Sequence, residues 1–292
     1  MKDPGVPLRD AATVLILRDG DEGLEVFMLK RNLNSDFVGG AYVFPGGAVD
    51  LADRHDDLGA YCEGRTDVEA SRRLDMSRGG LAFWVAAIRE SFEEAGVLLA
   101  YDRHGSVVDL DDVAAANRWR EHRQAVDSGL RRLVEVCQAE QLRLAVDGMH
   151  YFGHWITPEG APRRYDTRFF LAAAPPNQTP LHDDREVIAN TWIRPAEGLE
   201  RAAAGELMML PPTTASLRAI SRFETTAEAL AAATEIRHVP RILPRVVSYA
   251  GGMRIALPGD PGYDEGPVVP DATVDWSRLT AGGTTGFDAV SS

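Results

Sequence analysis

Residues 81–96, LAFWVAAIRESFEEAG, constrain the fold more than any other stretch of this chain. Trp84, Ile88, Phe92 and Ala95 recur at helical spacing, so one face is apolar and suits burial against a sheet. Gly80 opens the pattern, and Gly96 stands where a C-cap glycine belongs. Away from the apolar face, Glu90 and Glu93 are spaced i, i+3, and Glu90 and Glu94 i, i+4. Three carboxylates therefore share one side of two helical turns. Each such like-charge pair costs about 0.2–0.5 kcal/mol on an exposed helix, and more in a cleft. Arg89 neutralises one of the three at most. A hard cation with oxygen ligands would offset the rest. Taken alone, the helix also fits a solvated acidic face.

The flanking pattern supplies the fold class. Residues 11–17 and 24–29 read as two strands of a hairpin joined by a polar turn. Residues 41–44 read as a third strand, stopped by Pro45, Gly46 and Gly47. Residues 50–78 are polar and read as an inserted surface excursion with a helical piece near 68–74. Residues 113–141 are helical in composition, with a break near Ser128 and Gly129. Strands are expected at 149–157, 167–172 and 186–194, and helices at 195–204 and 214–233. The order predicts an α/β or α+β core, with helices packed on a mixed sheet. A domain over 1–237, with insertions at about 54–79 and 110–141, is followed by a Pro/Gly-rich acidic extension over 238–292. The extension reads as a segment lying on the core, a partner-binding arm or a dimer clasp, with a solvated tail from Asp260 onward.

Composition excludes several function classes. The net charge of -13 repels a phosphate backbone, so nucleic acid is not expected as a partner. A small anion remains compatible, because a bound cation inverts the local field. Lysine occurs only at Lys2 and Lys30, neither in a Gly-Lys-Ser/Thr context, which removes P-loop chemistry. Cys62 and Cys137 form no CxxC motif and imply a reducing compartment. No signal-peptide h-region and no long apolar run is seen, so the expectation is a cytoplasmic protein without a membrane span. His150 and His154 lie on a predicted strand, unlike the helical pair of a zinc site. Neither a Gly-x-Ser-x-Gly elbow nor a Gly-x-Gly-x-x-Gly fingerprint occurs.

The glycines at the end of the third strand allow close backbone approach and offer a carbonyl or amides to a metal or phosphate. That bend, followed by Arg89-Glu90-x-x-Glu93-Glu94-x-Gly96-Val97, resembles the Nudix box. Gly47 matches its first glycine, and Asp53 stands where the family has its first glutamate. Ser91 occupies a position the family fills with an apolar residue. The spacer from 54 to 88 is 35 residues long, where the family has seven. Such an insertion is found in the subgroup that includes the peroxisomal coenzyme A diphosphatase. The similarity runs from about 10 to 220 and takes in Trp155-Ile156-Thr157-Pro158, the Tyr165-Asp166-Thr167-Arg168 region and Leu210-Pro211-Pro212-Thr213.

The resemblance implies a Nudix-type α/β/α sandwich and metal-dependent hydrolysis of a phosphoanhydride in a nucleoside diphosphate linked to another moiety. Glu90, Glu93 and Glu94 become the catalytic carboxylates, one of them also the general base. With the Gly46 or Gly47 carbonyl they become ligands of Mg²⁺ or Mn²⁺. Glu186 is the expected additional acid, with Asp183 and Asp184 as alternatives. Arg31 and Arg89 are the candidate substrate-binding residues, and Arg31 could equally pair with an acidic neighbour. Asp166 is expected to pair with Arg168, and Trp155, Phe169 and Phe170 to be core. The subgroup suggests coenzyme A or acyl-coenzyme A as substrate. Asp36, four residues before Gly40, stands where the coenzyme A signature has a base, which keeps ADP-ribose, NAD(H) and a non-catalytic nucleotide sensor open. The resemblance is compatible with a homodimer.

Overall fold

The computed structural model describes residues 6–33, 39–112, 114–180, 187–249 and 252–265. Its elements in chain order begin with β1 (Leu8–Gly20), β2 (Gly23–Arg31), β3 (Tyr42–Val43) and β4 (Gly46–Ala48). Next come α1 (Asp67–Arg73), α2 (Leu81–Ala95), β5 (Ala100–Tyr101), α3 (Ala116–Asp127), α4 (Leu133–Glu140) and β6 (Arg143–Leu144). The chain continues through β7 (His150–Ile156), β8 (Arg164–Ala173), β9 (Val187–Ile193), α5 (Pro195–Ala203), α6 (Pro211–Ile220) and α7 (Thr226–Glu235). It closes with β10 (Arg241–Ile242), β11 (Arg245–Tyr249) and β12 (Gly252–Ala256).

The main sheet runs β10-β7-β8-β1-β2-β3, with β4 also on β1 and β9 also on β2. It is mixed: β1 is antiparallel to β2 and β4 but parallel to β8. Side chains alternate across a strand, and here both faces are buried. Ala12, Val14 and Ile16 of β1, with Phe27 and Leu29 of β2, enter the core beneath α2. Leu15 and Leu17, with Val26 and Met28, enter a second core that includes Leu217 and Ile220 of α6 and Ala229 and Ala233 of α7. The expected sandwich of helices on both faces of a mixed sheet is therefore observed.

Two expectations change. Residues 50–78 are anchored inward: Leu58, Ala70 and Leu74 are buried in the first core. The Thr66 hydroxyl and Glu69 form a capping box at the start of α1, while the Asp67 carboxylate accepts from the amides of Gly79 (2.9 Å) and Leu81 (3.0 Å). The polar residues of this stretch thus fasten α1 to the start of α2. The single helix expected over 214–233 is two. Pro211 sets the start of α6, and the Thr225 hydroxyl accepts from the Glu228 amide to cap α7 afresh. The extension after residue 237 joins the fold: Arg241 and Ile242 pair with His154 and Trp155 of β7. No described helix is long and apolar enough to cross a membrane.

Trp84 is the centre of the first core. It is fully buried, its ring lies 4.6 Å from that of Phe170, and its Nε1 donates to the Met149 carbonyl at 3.1 Å. Trp84→Ala is expected to destabilise the protein by about 3–5 kcal/mol. A urea titration should show the midpoint falling at unchanged slope; a loss under 1 kcal/mol would contradict this packing.

Candidate active site

Helix α2 ends as its sequence requires. Gly96 takes a left-handed conformation with φ 67°, and its amide donates to the Phe92 carbonyl at 3.1 Å. Ser91 is buried without penalty, because its hydroxyl lies 2.8 Å from the Val97 carbonyl and 3.0 Å from that of Ile88. With the end fixed, the acidic side of α2 faces the bend at β4. Glu90, Glu93 and Glu94 line one cavity of about 520 Å³ together with Gly46, Gly47 and Arg31. The shared face read from the spacing is thus the wall of a cleft.

The bend and the helix touch directly. The Gly46 amide donates to Glu94 Oε2 at 3.0 Å. A side chain at Gly47 would place its Cβ 2.5 Å from Glu90 Oε1, so any other residue there displaces that carboxylate from its position. Glycine at 46 is required by the neighbouring strand, since a Cβ there would lie 2.5 Å from the Ala12 carbonyl oxygen.

Arg89 organises the acidic groups. It is 7% exposed. Its Nε donates to Asp53 Oδ1 at 3.0 Å and its Nη2 to Asp53 Oδ2 at 3.0 Å and the Ala48 carbonyl at 2.8 Å. Its Nη1 lies 3.0 Å from Glu93 Oε2 and 2.9 Å from Glu90 Oε1. Arg89 lines the same cavity, and its guanidinium ties the loop after β4 to α2. Asp53, at the position of the family's first glutamate, is the inner partner of this pair and also accepts from the Asp50 amide at 2.8 Å.

The electrostatics follow from burial. Desolvation pushes both Glu90 and Glu93 up to about 7; Arg89 pulls each back down but does not compensate. Asp53 is raised by burial as well, against the pull of Arg89. Burial alone would weaken the Arg89 cation, but Glu90, Asp53 and Glu93 hold it well above its ordinary value. Clustered carboxylates this short of positive charge, all oxygen donors on one cavity wall, fit a hard divalent cation. Among the described residues no three acidic or imidazole side chains are already drawn to a common point. Glu90 and Glu93 turn toward Arg89, and Glu94 toward Gly46.

Other expected residues fall as follows. Arg31, at the end of β2, lines the cavity, and its buried Nε has no hydrogen-bond partner among the described residues. Asp166 pairs with Arg168 and with His154 Nε2 at 2.6 Å, a structural cluster as expected, which also accounts for His154. Trp155, Phe169 and Phe170 are buried core residues. Glu186, Asp183, Asp184 and Asp36 lie outside the described residues. No motif in the sequence points to Asp127. It ends α3, lines the same cavity and helps push Glu93 upward. Its approach depends on Arg123 of α3, whose Nε donates to the Glu93 carbonyl at 2.9 Å, a contact without a linear motif.

Comparison with known proteins agrees with this geometry. The sequence profile of the NUDT19 Nudix domain matches residues 67–220, just over half of the chain. The chain belongs to the NUDT19 Nudix domain family. It is 29% identical over 281 residues to the acyl-coenzyme A diphosphatase NUDT19 of Homo sapiens, spanning 84% of this chain and 73% of that protein. The Gallus gallus protein of the same name is 28% identical over 306 residues, spanning 89% of this chain and 80% of that one. A crystal structure of a NUDIX hydrolase from Alicyclobacillus acidocaldarius superposes with a TM-score of 0.63 at 27% identity, covering 77% of this chain and 96% of that one. This chain is thus a Nudix hydrolase with the family's α/β/α architecture.

Two outcomes test the site. A raised folded-state pKa means that, between the ordinary 4.5 and about 7, the folded protein holds more protons on Glu90 and Glu93 than the unfolded chain. The contribution of these two groups to stability therefore falls as pH rises through that window. In metal-free protein the thermal midpoint of Glu93→Gln should depend less on pH from 5 to 8 than that of the parent, and millimolar Mg²⁺ should flatten the parent's curve. Equal slopes would show that Glu93 is not electrostatically stressed. Gly47→Ala should fold yet displace Glu90 and lower turnover by about 10²-fold or more; a fully active variant would place Glu90 outside the chemistry.

Proposed function

We propose that this chain hydrolyses the phosphoanhydride bond of coenzyme A or an acyl-coenzyme A, with Mg²⁺ or Mn²⁺ as cofactor. The observation that carries the reading is the facing of Glu90, Glu93 and Glu94 across one cavity from the Gly46–Gly47 bend. The names of the curated relatives supply the substrate class. Glu90, Glu93 and Glu94, with a carbonyl of the bend, would hold the cation. A bound divalent ion supplies neutralisation of the diphosphate and a water acidified enough to attack phosphorus.

The protein's own groups do the rest. Arg31 lines the cavity with a guanidinium nitrogen that has no partner among the described residues, and a phosphate oxygen of the diphosphate would satisfy it. The carboxylate left closest to the attacking water would take its proton. Arg89 acts through the glutamates it positions. Asp127 adds a further acidic group beside Glu93. Glu186 is retained as the additional acid. Cytoplasmic residence is supported by two free, buried cysteines, Cys62 and Cys137, whose thiols burial pushes up to about 12.

Glu93→Gln and Glu94→Gln should keep the parent's circular dichroism and lose at least about 10²-fold in turnover. The assay is chromatography of the phosphomonoester products from coenzyme A, octanoyl-coenzyme A, ADP-ribose and NADH in Mn²⁺. Full turnover by both variants would remove the glutamates from the mechanism. Cleavage of ADP-ribose or NADH alone would redirect the substrate, and cleavage of nothing would favour a nucleotide-binding protein without turnover.

A further inference from the structure

An apolar groove of about 100 Å³ adjoins the acidic cavity. Thr157, Thr167, Phe169, Leu210 and Pro212 line both spaces, so a single molecule can extend from one into the other. Beyond these the groove is walled by Trp155, Ile156 and Pro211, and closed by Pro244 and Ile255. Pro244 precedes β11 and Ile255 lies on β12, so the closing wall comes from a hairpin beyond the stretch that the family profile covers. Among the described residues no charged side chain lines the groove, and the polar side chains that do are Thr157, Thr167 and the indole of Trp155.

A diphosphate held at Gly46 and the glutamates leaves two arms to be placed. One arm ends in a nucleoside, whose hydrogen-bonding groups would be left unsatisfied in an uncharged apolar trough. The other arm of an acylated substrate is a flexible chain ending in methylenes. Each methylene removed from water strengthens binding roughly fourfold. The two walls differ in kind, one polar and acidic, the other proline, isoleucine and aromatic, and that division matches a substrate polar at its centre and apolar at one end.

We infer that this groove seats the acyl end of the substrate and that the C-terminal hairpin, through Ile255 and Pro244, sets how much chain it accepts. The inference rests on the diphosphatase reading above. The ratio of kcat/KM for octanoyl-coenzyme A to that for coenzyme A reports it, measured with Mn²⁺ in the full chain. Ile255→Trp fills the groove and should lower that ratio at least tenfold. Ile255→Ala widens it and should raise the ratio for palmitoyl- over octanoyl-coenzyme A; this arm carries the test where the tryptophan variant does not fold. Ratios within twofold of the parent in both variants would overturn the groove's role while leaving the diphosphatase reading intact. Parent protein that cleaves neither coenzyme A nor its acyl forms would overturn both.

Discussion

The buried guanidinium of Arg89 is the constraint on which the site depends. Four partners converge on it: Asp53, Glu90, Glu93 and the Ala48 carbonyl. Taking several charges out of water together is unfavourable unless each finds a partner, and here one cation serves three anions. It is also what fixes distance. The loop after β4 and the helix α2 are separated in sequence, and Arg89 is where they are bound to each other. The glycine bend is therefore held against the glutamates by an ion pair 3% exposed at its Asp53 end. Removing Arg89 would leave the Asp53 carboxylate buried without its cation, a loss of about 3–5 kcal/mol, and would loosen the geometry of the cleft with it.

Much of this was legible in the sequence, for reasons that can be named. The helix Leu81–Ala95 was legible because its apolar period is strong and a glycine ends it. The common face of Glu90, Glu93 and Glu94 follows from 3.6 residues per turn alone. The hairpin of β1 and β2 follows from two apolar runs around Asp21 and Glu22. What was not legible depends on tertiary packing. The tie that Arg89 makes was hidden because sequence shows only its glutamate neighbours, and Asp53 lies 36 positions away. Residues 50–78 looked like surface because they are polar, although α1 approaches the start of α2 so closely that a Cβ at Gly80 would lie 2.4 Å from the Ser71 amide nitrogen. Asp127 reaches the cleft only because α3 packs on α2.

The sheet is covered on both sides, and the two sides divide the labour. Beneath α2 the packing holds the acidic helix in place. On the other side α6, α7 and the chain after them build apolar walls, and the strand β10 extends the sheet along β7. A composition rich in proline and glycine left a segment lying on the core, a partner-binding arm or a dimer clasp open there. Its first part behaves as a strand and a hairpin because Val246, Val247, Ile255 and Leu257 have apolar surface to bury, while Arg245 donates to the Tyr263 carbonyl at 2.7 Å and stacks over its ring at 4.4 Å.

The parallel pairing of β1 with β8 has a kinetic consequence. Leu8 lies opposite Arg164 and Leu17 opposite Ala173, so the centre of the sheet joins segments some 156 residues apart. During synthesis the first strand leaves the ribosome long before its neighbour exists. Ala12, Val14, Leu15, Ile16 and Leu17, all fully buried at the end, must meanwhile find cover in β2, β4 and α2, with the edge that β8 will fill left open. Loop closure over such a span is slow, and an apolar strand with one open edge is prone to self-association. That open edge is built into the topology, and it closes only once β8 has been made and paired with β1.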